Sequence, residues 1–352
     1  MTTTSLSLNI SITKMVSYNV FSGMPPPRAS ITNLLAMVVM LSLFVQSAVT
    51  TRITGGSDPT IMKVGDTYYS AGSDGSSIWV HSASTFEGLG ADSGTKIWSD
   101  TANRGEVWAP ELTMDGSETY IYFSAGTGEN HRMYVISASN PLGPYSSEQK
   151  LNLPDDHWAI DGTMFTFNNT RWFVWSGWES TRARYIISQP RESWEKGDSP
   201  AVNEGPEAIV DPDGQLHIVY SANGSWNDKY CLADLRLRAN GDPTYVWDWY
   251  KSNGCLFGSH QERMMKGWDA TLYIDGPGHH TFALNNGEIS NSPSGTDHIP
   301  FVFHGVQKGT AYSWGARALY TGSYVWWSKT TYSRKSVPGP NTNEGYSFKF
   351  FE

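Results

Sequence analysis

From residue 53 onward, short apolar stretches alternate with turns that contain glycine or aspartate. Each unit opens with a turn carrying an acid or a histidine, continues with an apolar strand, and adds an aromatic-rich strand and a third strand. The second unit is typical, with strands at residues 108–112, 120–124 and 133–136 and an Asp115-Gly116 turn. No stretch after residue 50 has the periodicity of an amphipathic helix. The pattern predicts an all-β protein.

Five such units can be traced along the chain. They open at Asp58, Glu111, Asp161, Glu204 and His279, at spacings of 53, 50, 43 and 75 residues. The last spacing contains an insertion at about residues 238–270. Units of about 40–50 residues with several strands each are typical of propeller blades. We therefore predict that residues 53–352 form a five-bladed β-propeller.

Propeller geometry gives these five opening residues a common location. The innermost strand of each blade lines the central axis, so equivalent strand ends converge at one mouth. Four of the five residues are carboxylates, and clustered carboxylates raise at least one pKa by repulsion. Alone, each could be an ordinary turn residue, as we take Asp66, Asp115 and Asp213 to be. Their convergence instead predicts a functional site.

Composition narrows the class of partner. A formal charge of −9 and a pI near 5.5 argue against nucleic acid or an anionic membrane surface. The chain has 15 Trp and 18 Tyr residues. Most would fill the core, but sugar-binding sites also use aromatic faces, so the excess fits a carbohydrate protein. Cys231 and Cys255 could form one bridge or remain two separate buried thiols.

The N-terminal region has the layout of a secretory signal. Residues 34–45 are almost wholly apolar, yet too short for a membrane span of about 20 residues. A small Ser47-Ala48 pair follows, as at a cleavage site. We predict that residues 1–48 are an extension and signal peptide, and that the protein is secreted without stable membrane association; an uncleaved signal anchor is the alternative. Sequons at Asn168 and Asn223 could then carry glycans.

Five short motifs occur in a characteristic order. They are Asp58-Pro59, residues 108–111 (WAPE), residues 160–162 (IDG), residues 203–206 (NEGP) and residues 276–279 (GPGH). Over about residues 53–320 the chain thereby resembles glycoside hydrolase family 43, the five-bladed arabinanase, arabinofuranosidase and xylosidase group.

The resemblance implies roles for individual residues. Asp58 would be the general base, Glu204 the general acid, and Asp161 the residue that tunes the pKa of the acid and orients it. Trp108 would wall the sugar pocket, and Arg317 would reach the substrate. The resemblance also implies that His279 lies at the axis, where a calcium or similar cation is held mostly through water. His217, His280 and His304 we interpret as ordinary strand residues, and Glu207 as structural.

The resemblance, together with the secretory layout of the N-terminal region, thus implies a secreted glycoside hydrolase that cleaves α-L-arabinofuranosyl linkages of plant cell-wall arabinan or arabinoxylan. An inverting enzyme would hold its acid and base about 6.5–9.5 Å apart, leaving room for a water. Residues 335–352 do not resemble a usual final strand, and the β-sandwich appended to many xylosidases of the family is not seen, which favours arabinose. We expect a monomer. The alternatives are an endo-1,5-α-L-arabinanase, a β-xylosidase, a non-catalytic carbohydrate-binding propeller and a protein-interaction propeller.

Overall fold

The structure is a computed structural model, and it describes residues 6–7, 50–154, 156–178, 187–290, 298–328 and 345–352. The predicted signal peptide, the strand predicted at residues 185–187 (except for Ile187) and much of the tail lie outside these residues. In chain order the strands are β1 (Leu6–Ser7), β2 (Arg52–Gly55), β3 (Thr60–Val64), β4 (Thr67–Ser73), β5 (Ser77–Ala83), β6 (Thr95–Ser99), β7 (Trp108–Asp115), β8 (Glu118–Ala125), β9 (Arg132–Ala138), β10 (Gln149–Lys150), β11 (Ala159–Phe167), β12 (Thr170–Trp178), β13 (Asn203–Val210), β14 (Leu216–Ala222), β15 (Cys231–Leu237), β16 (Trp249–Lys251), β17 (Phe257–Gly258), β18 (Ile274–Phe282), β19 (Leu284–Asn285), β20 (Ile299–Gln307), β21 (Ala318–Ser328) and β22 (Tyr346–Phe351).

These strands form five sheets. Their orders are β19-β3-β4-β5-β6, β7-β8-β9-β10, β1-β12-β11, β13-β14-β15-β16 with β17 on β15, and β18-β20-β21-β2 with β22 on β21. We number them as the first to fifth sheets in that order. The inner strands β3, β7, β11, β13 and β18 each contact the next, and β18 contacts β3. This ring of strands confirms the predicted all-β propeller. Four of the sheets have four or more strands among the described residues, and the third has three.

The fifth sheet joins the start of the propeller to its C-terminal strands. Strand β2 pairs with the start of β21, through Arg52–Gly55 against Ala318–Tyr320, and β22 pairs with the rest of β21. The expectation that the tail is not a regular final strand is wrong for Tyr346–Phe351. Tyr346, Phe348 and Phe350 are buried at every second position, which is the period of a strand with one face in the core.

A disulfide bond joins Cys231 and Cys255, whose Cα atoms are 5.9 Å apart. Of the two alternatives left open by the sequence, the single bridge is therefore the one observed. Cys231 begins β15, and Cys255 lies in the inserted segment at residues 238–270. That segment also supplies β16 and β17 to the fourth sheet. The bridge thus ties the insertion to the blade it extends.

The described residues contain one short α-helix, α1 (Phe86–Ala91), which the sequence did not predict. The Thr85 side chain caps it by accepting a hydrogen bond from the Gly88 backbone nitrogen. Six residues are too few to display a helical period, which explains the omission. Single-turn 3-10 segments occur at Gly128–Asn130, Ser193–Glu195, Val246–Asp248, Gln261–Arg263 and Trp314–Ala316. No helix in the described part of the chain is long and apolar enough to cross a membrane.

Candidate active site

A bulge interrupts four inner strands at the same point. The strand register slips between Trp108 and Glu111, between Ile160 and Thr163, between Glu204 and Glu207, and between Asp275 and Gly278. The residue after the first member of each pair has a positive φ, between 42° and 57° in all four cases. Bulges re-aim side chains and are common beside active sites. Asp58, just before β3, has a φ of 53° and occupies the corresponding position in the first sheet.

The bulges correct the predicted equivalence of the five unit-opening residues. Asp58 and Asp161 do occupy equivalent positions, but Glu204 stands one residue earlier in its strand. Glu111 stands two residues later and is aligned with Glu207. His279 lies within a second irregularity of β18, between Gly278 and Thr281, and has a φ of 39°. The prediction aligned the five units on their acidic residues. This alignment was wrong because the sequence does not show where a bulge adds a residue. The carboxyl groups therefore lie in two layers.

Asp58 is surrounded by hydrogen-bond partners at the mouth. Its Oδ1 lies 3.2 Å from His279 Nδ1 and 3.3 Å from His304 Nδ1. The Ser57 hydroxyl donates to Oδ2 at 3.1 Å. Burial, the largest single influence, raises the pKa of Asp58, but neighbouring basic groups, with His279 first and Arg317 among them, outweigh it and hold the pKa well below its usual value. Asp58 is therefore ionised at neutral pH.

His304 belongs to this site, which corrects its interpretation as an ordinary strand residue. The Asp58 backbone nitrogen lies 3.0 Å from His304 Nδ1. Since a backbone N–H can only donate, this nitrogen of His304 is unprotonated and accepts. Burial is the main cause that lowers the His304 pKa to about 4, which agrees with a neutral ring. His304 faces Gly278 in the register of the fifth sheet, and the Tyr230 ring stacks on it at 5.5 Å.

Glycine is needed at position 278 for this arrangement. A Cβ there would lie 2.1 Å from Tyr230 Cδ1, so a larger residue would displace the ring that packs on His304. The sequence therefore indicated His304 only indirectly. The Gly276-Pro277-Gly278 motif of the neighbouring strand leaves room for the Tyr230 ring that packs on His304.

Asp161 and Glu204 form an electrostatically coupled pair. The Gly205 backbone nitrogen donates to Asp161 Oδ2 at 3.0 Å. Burial first, and then the charges of Glu204 and Asp58, raise the pKa of Asp161 well above its usual value. Burial and the charge of Asp58 also raise the pKa of Glu204, to about 7, against the lowering effect of Tyr230, Ser225 and Arg317. Two such carboxyls close to ionised Asp58 retain a proton between them at neutral pH.

Two loops complete the surroundings of Glu204. Ser225 and Tyr230 come from the β14–β15 connection, and their hydroxyls favour the ionised form of Glu204. The Tyr230 hydroxyl makes no hydrogen bond of good geometry among the described residues. The Tyr312 hydroxyl approaches the Ser225 carbonyl oxygen at 3.5 Å. These three residues were not among the predicted site residues, because serine and tyrosine in loops carry no distinctive pattern.

Trp108 and Arg317 lie at the same end of the propeller. Trp108 immediately precedes the bulge of β7, is 40 % exposed, and stacks on the buried His131 ring at 3.9 Å between ring centroids. Arg317 follows the 3-10 turn at Trp314–Ala316, and its positive charge acts on both Asp58 and Glu204. Arg317 thus contributes a permanent positive charge to the site. Trp108 contributes an exposed aromatic surface.

A second pair of acidic residues lies in the lower layer. Glu111 and Glu207 are hydrogen-bonded to each other, and the Thr60 hydroxyl donates to Glu111 Oε1 at 3.0 Å. Both line the narrow central cavity of the propeller. Burial is the main cause that raises the pKa of Glu111 to about 8 and that of Glu207 well above its usual value. The pair is therefore protonated when nearby Asp58 is ionised.

The structure does not provide a set of side chains for a directly bound metal. His279 Nδ1 is directed toward Asp58, with Asp161 Oδ2 at 3.9 Å. Within the described ranges, no group of three or more His, Cys, Asp and Glu residues could hold an ion. The residues present do not fit an ion ligated by several side chains, and we derive no chemical step from one.

Comparison with known proteins identifies the family of the chain and several relatives. The model for glycosyl hydrolases family 43 matches residues 53–319. An α-L-arabinofuranosidase 43 of Humicola insolens is 28 % identical over 266 residues, covering 67 % of this chain and 53 % of the relative. An extracellular exo-α-(1→5)-L-arabinofuranosidase of Streptomyces chartreusis is 26 % identical over 230 residues, covering 57 % of this chain and 66 % of the relative. The chain thus spans between about half and two thirds of the length of these relatives.

Solved structures show the same fold at low sequence identity. The α-L-arabinofuranosidase of Lactobacillus brevis superposes with a TM-score of 0.64 at 21 % identity, covering 81 % of this chain and 94 % of that one. A thermostable family-43 glycoside hydrolase gives a TM-score of 0.56 at 17 % identity, covering 87 % and 95 %. The order of motifs, the ring of inner strands, the carboxyl groups at its mouth and the family match over most of the sequence lead to one conclusion: the chain belongs to family 43 of the glycosyl hydrolases.

Proposed function

We propose that the protein is a secreted α-L-arabinofuranosidase that removes arabinofuranosyl groups from arabinan or arabinoxylan by an inverting mechanism. The observation that carries this proposal is that the pKa values of two carboxyl groups at the mouth of the propeller are shifted in opposite directions. The pKa of Asp58 is lowered, whereas that of Glu204 is raised to about 7. A pair of carboxyls whose environments drive their pKa values apart is what acid–base cleavage of a glycosidic bond requires.

The proposed reaction uses each group once. Glu204 donates its proton to the glycosidic oxygen as the bond from that oxygen to the anomeric carbon breaks. A water forms the new bond to that carbon from the opposite face, and Asp58 accepts the proton that the water loses. Asp161, which is itself anchored by the Gly205 nitrogen, shares the proton of this pair with Glu204 and orients the acid. The excess proton then passes from Asp58 to solvent, and Glu204 is reprotonated.

The names of the relatives support the proposed substrate and location. Both curated relatives are named as arabinofuranosidases, and that of Streptomyces chartreusis is named as extracellular. Membership of the family implies a polysaccharide or oligosaccharide substrate. We further propose that Trp108 walls the sugar pocket, that Arg317 contacts the substrate, and that the enzyme acts as a monomer. A cation near His279 would be held through water. We also propose that the three-stranded third sheet is a blade like the other four sheets, which gives a propeller of five blades.

Purified protein incubated with an aryl α-L-arabinofuranoside, an aryl β-D-xyloside, linear arabinan, debranched arabinan and arabinoxylan tests this proposal. We expect arabinose release, with a loss of at least 100-fold on the polysaccharides in the Glu204→Gln variant. Xylose release alone would favour a β-xylosidase, and internal cleavage of debranched arabinan an endo-arabinanase. No release from any substrate would refute the enzymatic function. Undiminished activity of Glu204→Gln on the polysaccharides would refute the assignment of the acid.

The stereochemistry of the first product tests the role of Asp58 separately. Proton NMR taken early in the reaction should show β-L-arabinofuranose formed from the α-linked substrate. An α-configured first product would mean retention, and Asp58 would then be a nucleophile rather than a base.

A further inference from the structure

A cleft opens to solvent between the first and fifth sheets, next to the catalytic centre. Its volume is about 360 Å³. Ser57 and Pro59, on either side of Asp58, form its inner end. Gly56 and Asp74 lie at the exposed rim. The Ser57 hydroxyl that donates to Asp58 therefore stands at the junction of the cleft and the catalytic site.

One aromatic ring in this cleft is held in a fixed orientation. Trp79 Nε1 donates to Asp74 Oδ2 at 3.0 Å, and Lys96 Nζ lies 5.0 Å from the centre of the ring. The other oxygen of Asp74 accepts hydrogen bonds from the Ser76 nitrogen, the Ser76 hydroxyl and the Ser77 nitrogen, at 2.7–2.9 Å. These four hydrogen bonds fix Asp74 in place as the support of Trp79.

The lining of the cleft indicates the chemistry of its ligand. It combines Trp79, serine and threonine hydroxyls, exposed glycine backbone and the buried apolar side chains of Ile61 and Leu89. Its titratable residues are Asp74, which supports Trp79, and the mutually contacting His81 and Asp92. No lysine or arginine is among the residues that line it, so it is unsuited to an anion. An aromatic ring with a few fixed polar groups in a concave, half-apolar site suits a neutral, hydroxyl-rich molecule.

We propose that this cleft, named here the Trp79 cleft, binds a neutral pentose oligosaccharide: a stretch of the same polysaccharide that adjoins the sugar in the catalytic site. The inference rests on the proposed function. A polymer held there would gain affinity from contacts that a small aryl glycoside cannot make. The cleft would thereby set a preference for polymeric over small substrates without changing the chemical step.

Two variants test the cleft by different means. Trp79→Ala removes the aromatic surface. Gly72→Leu fills the space, since an added Cβ at Gly72 meets no atom within 4 Å. Trp247→Ala is the matched control, because Trp247 is 72 % exposed in the insertion of the fourth sheet and does not line the cleft. Melting temperatures report whether each variant is folded, and Gly72→Leu keeps the test valid if Trp79→Ala does not fold.

The measured quantity is the ratio of kcat/KM on linear arabino-oligosaccharides of six or more sugars to kcat/KM on an aryl arabinofuranoside. We expect both cleft variants to lower this ratio about tenfold, equivalent to about 1.4 kcal/mol, through a higher KM on the long substrate. The ratio should not change in Trp247→Ala. An unchanged ratio in the folded cleft variants, or an equal change in the control, would overturn the proposal. Failure of the unaltered protein to cleave the aryl arabinofuranoside would instead refute the proposed function.

Discussion

His304 Nδ1 accepts a hydrogen bond from the backbone nitrogen of Asp58 at 3.0 Å and lies 3.3 Å from the carboxylate of the same residue. The two residues are 246 positions apart in the sequence. Asp58 has a positive φ, a conformation that costs an aspartate free energy and persists only where its surroundings enforce it. His304 supplies part of that enforcement from the adjacent sheet.

The first prediction concerns this contact. His304→Ala should lower kcat/KM by tenfold or more, because the backbone of the base loses its acceptor, a bond worth about 1–3 kcal/mol when its partner is left unsatisfied. His304→Asn can place an amide oxygen near the position of Nδ1 and should recover part of the activity. Kinetics on the aryl glycoside, with melting temperatures, would test this. If the alanine and asparagine variants lost activity equally, the acceptor role would be refuted.

The pH dependence of kcat/KM should be asymmetric. Glu204 must be protonated to donate, and its pKa is about 7, so activity should fall as the pH rises through about 7. Asp58 must be ionised, and its pKa lies below its ordinary value of 3.8, so activity should persist down to about pH 4 while the protein stays folded. The measurement is kcat/KM from pH 4 to 9.

Glu204→Gln provides the control for the alkaline side. An aryl glycoside with a good leaving group needs little acid assistance, so the variant should retain measurable activity on it without the fall near pH 7. A fall that remained in the variant would show that another group causes it.

The carboxyl pair in the central cavity should make the stability of the fold depend on pH. In the folded protein the Glu111 pKa is about 8, against an ordinary value of 4.5. A raised pKa of this kind favours folding fully below about 4.5, and this contribution is lost as the pH rises through about 8. The melting temperature of the unaltered protein should therefore fall between pH 5 and pH 8. It should fall by less in a Glu111→Gln/Glu207→Gln variant. An equal decrease in both proteins would exclude the pair as the cause.

The two sequons should differ in occupancy when the protein is made in a glycosylating host. Asn168 lies in the exposed turn between β11 and β12. Asn223 is fully buried, where its Oδ1 accepts from the Gly197 nitrogen at 2.8 Å and its Nδ2 donates to the Trp194 oxygen at 3.1 Å. Mass spectrometry should detect a glycan on Asn168 and none on Asn223. The variant Thr170→Ala should abolish the modification between residues 50 and 352, and a glycan remaining on Asn223 would contradict the prediction.

Repetition made much of the fold predictable. The turn at Asn168-Asn169, for example, follows from two residues that tolerate the positive φ of a tight hairpin, and both adopt it, at 49° and 57°. The convergence of Asp58, Asp161 and Glu204 was also predictable, because the repeat brings one end of every inner strand to the same mouth.

What the sequence did not reveal depends on strand register and on which strands pair. The bulges that separate Glu204 from Glu207 and lower Glu111 into the cavity leave no mark in hydrophobic alternation. His304 looks like any histidine in a buried strand until β20 is placed beside β18. The strand at Tyr346–Phe351 was missed, although its aromatic residues at every second position fit a strand. The prediction compared this segment with the final strand usual in the family and not with the period of a strand.

Closure of the ring through β2 and β21 has a consequence for synthesis of the protein. Asp58 follows β2 by only three residues, yet β2 has its pairing partner only once residues 318–320 exist. His279 and His304, which contact Asp58, are also made late. The residue proposed as the base emerges from the ribosome among the first of the propeller, but it reaches its working geometry among the last. Hydrolytic activity would accordingly appear only after the whole ring has closed. A chain interrupted before residue 318 should fold in part but should not cleave a sugar.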